Sequence, residues 1–124
     1  MRFQRWQVIG LLVVWLSVAL VTPALAEEGH DCGHHHQMAT IENLAQHVEH
    51  AAMMGHITNA GVTNSLLAKL AAAQSAFDRG QNQTAINMLH AFISELEALA
   101  GKHVLDLHAQ CLIHHAHQVH MALS

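Results

Sequence analysis

The sequence predicts an all-α fold, a compact antiparallel bundle of about four helices. Three observations carry that expectation. Apolar residues recur with the i, i+3, i+4, i+7 spacing of helices in four successive stretches. Glycines punctuate the ends of the first three. The only proline, Pro23, precedes all of them, so nothing breaks these helices. No segment shows the strict alternation of a half-buried strand.

The first helical stretch starts after Thr40, a candidate N-cap, and runs through Ile41, Leu44, Ala45, Val48 and Ala52 toward a stop at Gly55. The second begins near Asn59 or Thr63, carries Val62, Leu66, Leu67, Leu70, Ala73 and Phe77, and ends at Gly80. The third takes Asn82 as its cap and presents Ala85, Met88, Leu89, Phe92, Ile93, Leu96 and Leu99 before Gly101. The spacing makes Met88 a packing residue. The fourth is expected to start with Asp106 as cap and to continue through Ala109, Leu112, Ile113, Ala116, Val119 and Leu123. Short connections between helices of this length favour antiparallel neighbours.

Residues 1–26 read as a secretory signal peptide. Arg2 and Arg5 precede an apolar run from Val8 to Val21, and Ala24-Leu25-Ala26 gives an A-x-A cleavage pattern. The run is short for a membrane span and no cationic stop-transfer segment follows it, so no stable membrane anchor is expected after cleavage. The location implied is periplasmic or secreted. Residues 27–39 form a polar, Gly-containing, His-rich tail without periodicity, expected to be flexible, and residues 40–124 form the helical domain.

Removing the signal leaves Lys69, Arg79 and Lys102 against all nine acidic residues, a formal charge of −6 with neutral histidines. Such a balance excludes nucleic acid as a partner, because phosphate binding needs a cationic footprint. Cys32 and Cys111 are the two cysteines. In an exported chain a disulfide is their usual fate, with metal ligation and intermolecular pairing as alternatives. A Cys32–Cys111 bridge would close a long loop, worth about 4–5 kcal/mol in the chain-entropy model.

Fourteen of the 124 residues are histidine, all of them after position 29. Histidine is the commonest metal ligand and titrates near neutral pH. On the fourth helix His108, Cys111 and His115 fall within roughly 60° of one another on the helical wheel, beside one edge of the apolar face. Residues three and four apart are neighbours on a helix, so such side chains can grip one ion. On the first helix Asn43, His47, His50 and Met54 share a stripe away from the core residues, and two imidazoles with a thioether suit copper better than calcium or magnesium. His117 with His120, and His90 with Glu97, are weaker pairings. The tail adds His30, His34, His35 and His36, a cluster able to chelate without a preformed geometry. The candidate metal ligands are therefore His108, Cys111, His115, His47, His50, Met54, His30, His34, His35 and His36. The cofactor implied is a transition-metal ion, with Zn, Cu and Ni all compatible. Neutral imidazoles are the ligand form, so affinity is expected to fall as pH drops through about 6.5.

There is no H-E-x-x-H, no Gly-rich phosphate loop and no orienting acid beside Cys111, so catalysis is not expected. Three further stretches stand out: Gly55-His56-Ile57-Thr58-Asn59, Ser65-Leu66-Leu67-Ala68-Lys69-Leu70 followed by Gly80, and Ala85-Ile86-Asn87-Met88-Leu89-His90-Ala91-Phe92-Ile93. Gly101-Lys102 and the spaced Ala109, Leu112 and Ala116 follow them. Through these motifs residues 41–120 resemble the FIMAH domain, a small helical module usually appended to secreted bacterial enzymes. These are mainly packing and turn positions, with Asn87 and Lys102 as candidates for polar contacts that fix the turns. The resemblance implies an extracytoplasmic, non-catalytic role in interaction or anchoring. The chain is expected to differ from that pattern in carrying a signal sequence of its own without an enzyme domain, and it adds histidines. Two functions stand side by side: a metal-binding protein that buffers, scavenges or delivers a transition metal, and a protein-interaction module with no specific metal and a possible protein partner.

Overall fold

The computed structural model describes residues 39–124. The signal segment, Cys32 and the tail histidines His30, His34, His35 and His36 lie outside the described residues. Four helices follow in order: α1 (Ile41–Met53), α2 (Ala60–Asp78), α3 (Asn82–Leu99) and α4 (Asp106–Leu123). Among the described residues there is no strand, only isolated bridge pairing in the connections. The expected all-α bundle is what forms.

Each helix buries one stripe. Leu44, Val48 and Ala51 of α1, Leu66, Leu70 and Ala73 of α2, Leu89, Phe92 and Leu96 of α3, and Ala109, Leu112, Ala116 and Val119 of α4 meet in a single apolar core. Phe92, Leu44, Leu66, Leu89 and Leu96 have no exposed surface. Each such side chain contributes about 1.5–3 kcal/mol through its transfer from water. Met88 packs against this core, as its spacing predicts. Phe77 does not: it is 41% exposed in the last turn of α2, where the neighbouring Ala76 takes the buried position.

Packing runs in a ring, α1 on α2, α2 on α3, α3 on α4 and α4 back on α1. The connections show that successive helices are antiparallel. Residues 54–59 and 100–105 lie at the same end, joined by the Ile57–Val104 bridge. There the Thr58 N–H donates to the His103 carbonyl (2.9 Å) and the Leu105 N–H to the His56 carbonyl (2.9 Å). At the opposite end, Asn82 Nδ2 near the start of α3 donates to the Leu123 carbonyl at the close of α4 (3.4 Å). Between α2 and α3, Lys69 Nζ lies 2.6 Å from Glu95 Oε2, which also accepts from Ser65 Oγ (3.1 Å).

Two side-chain N-caps form, Thr40 as expected and Asn59 at one of the two starts offered for α2. Thr40 Oγ1 accepts from the Asn43 N–H (3.1 Å), and Asn59 Oδ1 accepts from the N–H groups of Gly61 (2.8 Å) and Val62 (3.2 Å). The other two differ. The α3 cap position is Gln81 and the α4 cap position is Leu105, neither with a side-chain cap, so Asn82 and Asp106 are first helical residues. Asp106 still favours the α4 start, because a carboxylate there faces the positive end of the helix dipole. Gly55 (φ 77°), Gly80 (φ 73°) and Gly101 (φ 72°) adopt the left-handed conformation just past α1, α2 and α3.

Candidate functional site

Six of the histidines among the described residues meet in three pairs, each pair joining two different elements. Val48 of α1 and Ala116 of α4 are fully buried, and that places the adjacent His47 and His115 on the flanks where these helices pack. Their Nδ1 atoms lie 3.0 Å apart, with ring centroids 4.7 Å apart and planes inclined by 59°. In the metal-free protein one neutral ring donates its Nδ1–H to the lone pair of the other. Two imidazoles can also share an ion from this position. A tetrahedral zinc held at 2.0–2.1 Å from each nitrogen requires about 3.3 Å between them, so a few tenths of an ångström of opening suffice. Burial, then the neighbouring His47, then His114 hold the His115 pKa below its ordinary 6.5. All three causes favour the neutral, ligand-competent imidazole.

The second pair sits at the end of the bundle where the two longer connections meet. His56, whose carbonyl accepts the Leu105 N–H, stacks on His108 with centroids 3.6 Å apart and planes 22° apart. Ring nitrogens carry their lone pairs in the ring plane, so nearly parallel rings do not aim them at a shared ion. The third pair is His90 of α3 against His120 of α4, centroids 5.0 Å apart and edge-on at 82°. His90 meets this ring rather than the Glu97 carboxylate suggested by spacing along α3. His114 bonds within its own helix, to Gln118 Nε2 (3.0 Å).

The trio His108, Cys111 and His115 does not act as one cluster. Cys111 is disulfide-bonded and offers no thiolate. Cys32 is the only other cysteine of the chain. His108 is held against His56 and His115 against His47, so residues close on the wheel are drawn to different partners. His50 is exposed, and Met54, 60% exposed, forms the α1 C-cap away from the core. Among the described residues, no group of three or more His, Cys, Asp or Glu side chains is placed to hold a metal ion. Sequence reasoning missed the stacked His56–His108 and the edge-on His90–His120 pairs. The available signal was that His56, His90, His108 and His120 each flank a connection or an apolar stripe.

A family model for the FIMAH domain matches residues 41–120. The chain belongs to the FIMAH domain family. The matched span starts at the first residue of α1 and reaches His120 in the last turn of α4, so the whole bundle is the FIMAH unit. As a member of that family it is a small helical module. The positions that carry the FIMAH likeness have structural work to do: Gly55–Asn59 supplies one of the two cross-linked connections, and Gly101 opens the turn that supplies the other. Lys102 Nζ donates to the Ala98 carbonyl (3.2 Å), whereas Asn87 Oδ1 accepts from Gln83 Nε2 (3.2 Å) one turn back on the surface of α3. Neither the curated proteins nor the solved structures contain a match to this chain.

Proposed function

We propose that this FIMAH module is an exported, non-catalytic protein that binds a transition-metal ion and so buffers, scavenges or delivers it, with His47 and His115 as the central ligands. The observation that carries this reading is the 3.0 Å approach of two imidazole Nδ1 atoms from separate helices. Pairing along one helix is common wherever histidine is abundant, but opposed ring nitrogens at near-chelating distance across an interface are not dictated by abundance. Imidazole nitrogens suit Zn²⁺, Cu²⁺ and Ni²⁺. The signal-like residues 1–26 support a periplasmic or secreted location. The family supports the non-catalytic part of the proposal, and it also supports a second reading, a protein-interaction module whose histidine pairs serve packing alone.

Calorimetric titration of the purified protein with Zn²⁺, Cu²⁺ and Ni²⁺ separates the two. Stoichiometric binding at micromolar concentration or tighter, weakened at least about tenfold in His47→Ala and His115→Ala, is the expected result; tenfold corresponds to about 1.4 kcal/mol. Binding no tighter than that of a histidine-tagged control protein sinks the metal reading and leaves the interaction module.

A further inference from the structure

Large apolar side chains are exposed at five positions among the described residues, and three of the five are methionines: Met53, Met54 and Met121. Single exposed apolar residues are ordinary on a protein surface. Packing does not account for Met53 and Met54, because they are 80% and 60% exposed while Leu44, Val48 and Ala51 carry the apolar stripe of α1. Both instead flank His50, which is itself exposed. The three stand at i, i+3 and i+4, so the methionines lie about 60° to one side of His50 and about 40° to the other around the helix axis. Side chains at these separations are neighbours on the helix surface, with about 5–6 Å between their Cβ atoms. The helical geometry holds to the last of them. Met54 keeps helical angles (φ −80°, ψ −1°), and its N–H donates to the His50 carbonyl (3.0 Å). Gly55, with φ 77°, then turns the chain off the helix and leaves the three side chains at its C-terminal end.

We propose that His50, Met53 and Met54 form a copper(I) site on the C-terminal turn of α1, distinct from the His47–His115 pair. Its donors are one imidazole nitrogen and two thioether sulfurs. Thioethers are soft ligands that select Cu(I), whereas zinc is held by thiolate, imidazole and carboxylate groups. All three donors are neutral, so the ion keeps its single positive charge, and that charge sits at the negative end of the α1 dipole. Methionine has three rotatable bonds, so the two side chains can close on an ion without any shift of the core. The bundle thus carries two kinds of donor set: opposed imidazoles between helices for Zn²⁺, Cu²⁺ or Ni²⁺, and a soft triad on one helix for the reduced ion. The triad uses none of the pair's donors, so the two sites stand or fall separately.

The test is Cu(I) titration of the full protein against a chromophoric Cu(I) chelator, under ascorbate to keep the copper reduced, with Zn²⁺ titration alongside. M53L/M54L removes both sulfurs but keeps the apolar volume on an exposed surface, so its circular dichroism should match that of the unmodified chain. It should bind Cu(I) at least about tenfold more weakly with Zn²⁺ affinity unchanged, and H50A should weaken Cu(I) binding in the same way. H47A/H115A should show the reverse, with Zn²⁺ weakened and Cu(I) retained. Methyl NMR of ¹³C-labelled methionine gives a site-specific readout on the unmodified chain. Cu(I), or Ag(I) as a redox-inert stand-in, should shift the Met53 and Met54 methyl signals and leave that of Met88, which packs against the core, in place.

Unchanged Cu(I) affinity in M53L/M54L, or Cu(I) binding that leaves the Met53 and Met54 methyl signals in place, overturns the triad. So does a Cu(I) loss in H47A/H115A as large as that in M53L/M54L, which assigns the copper to the imidazole pair. Weak Zn²⁺ binding throughout, with the Cu(I) losses as expected, removes the pair and supports the triad.

Discussion

His115 shows how one side chain couples packing to pH. Burial against α1 and the facing His47, with His114 next to it, lower its pKa from 6.5. The unfolded chain then binds more protons than the folded one between the lowered value and 6.5, and stability rises with pH wherever that holds. The contribution of His115 is thus fully present above about pH 6.5, falls as pH drops toward the depressed value, and is flat below it. Urea midpoints of the metal-free protein between pH 5 and 7.5 should show this slope, and His115→Asn should flatten it. Equal slopes in the two proteins would refute the assignment. Gly55 and Gly101 make a second comparison at this scale. Both have positive φ, where an alanine costs about 1–2 kcal/mol. A Cβ on Gly55 would meet no atom within 4 Å, whereas one on Gly101 would lie 3.0 Å from Asp106 Oδ1. Gly101→Ala should therefore destabilise more than Gly55→Ala in thermal melts, and the reverse order would contradict the geometry.

At the scale of the helix, the starts are unequal. Asn59 caps α2 with two accepted hydrogen bonds and Thr40 caps α1 with one, while α3 and α4 have no side-chain cap. Asn59→Ala should cost about 1–2 kcal/mol and Thr40→Ala about 1 kcal/mol, measured by denaturant unfolding. Leu105→Ser places a hydroxyl at the uncapped start of α4. Leu105 is 52% exposed, so little burial is lost. The substitution should stabilise by about 0.5–1 kcal/mol, and a fall in the unfolding midpoint would count against it. The helices themselves were legible from periodicity, and so were Thr40 and the three terminal glycines, while the start of α2 was left between Asn59 and Thr63. The caps of α3 and α4 were not. A polar residue beside a helical stretch can be its cap or its first helical residue, and the backbone angles of the preceding connection decide which. At residues 100–105 that backbone is committed to the Ile57–Val104 bridge, which sets where α4 begins.

For the whole molecule, the central feature is the cross-linking of the two longer connections. It fixes α1 beside α4 and closes the ring of helices. Phe92, with no exposed surface, touches the same core to which all four helices contribute. Phe92→Ala should cost about 3–5 kcal/mol, a large share of a total stability of order 5–15 kcal/mol, and should lower the melting temperature markedly. Retention of a cooperative melt near the wild-type temperature would show that the core is less unified than its burial indicates.

The sequence alone determined that the chain is all-helical, which face of each helix is apolar and which turns need glycine. These are local properties, set by side-chain spacing along one helix and by the conformational range of single residues. It also placed His115 beside the apolar edge of its helix, whereas it put His47 on a stripe away from the core residues. Only the tertiary structure decided that these two rings face each other, that His108 leaves its wheel neighbours for His56, and that Cys111 is bonded rather than free. A helical wheel orders the residues of one helix but carries no information on the rotation and height of the next. Those are settled when the core closes and the two connections pair, and only then does a count of histidines become a set of opposed nitrogens.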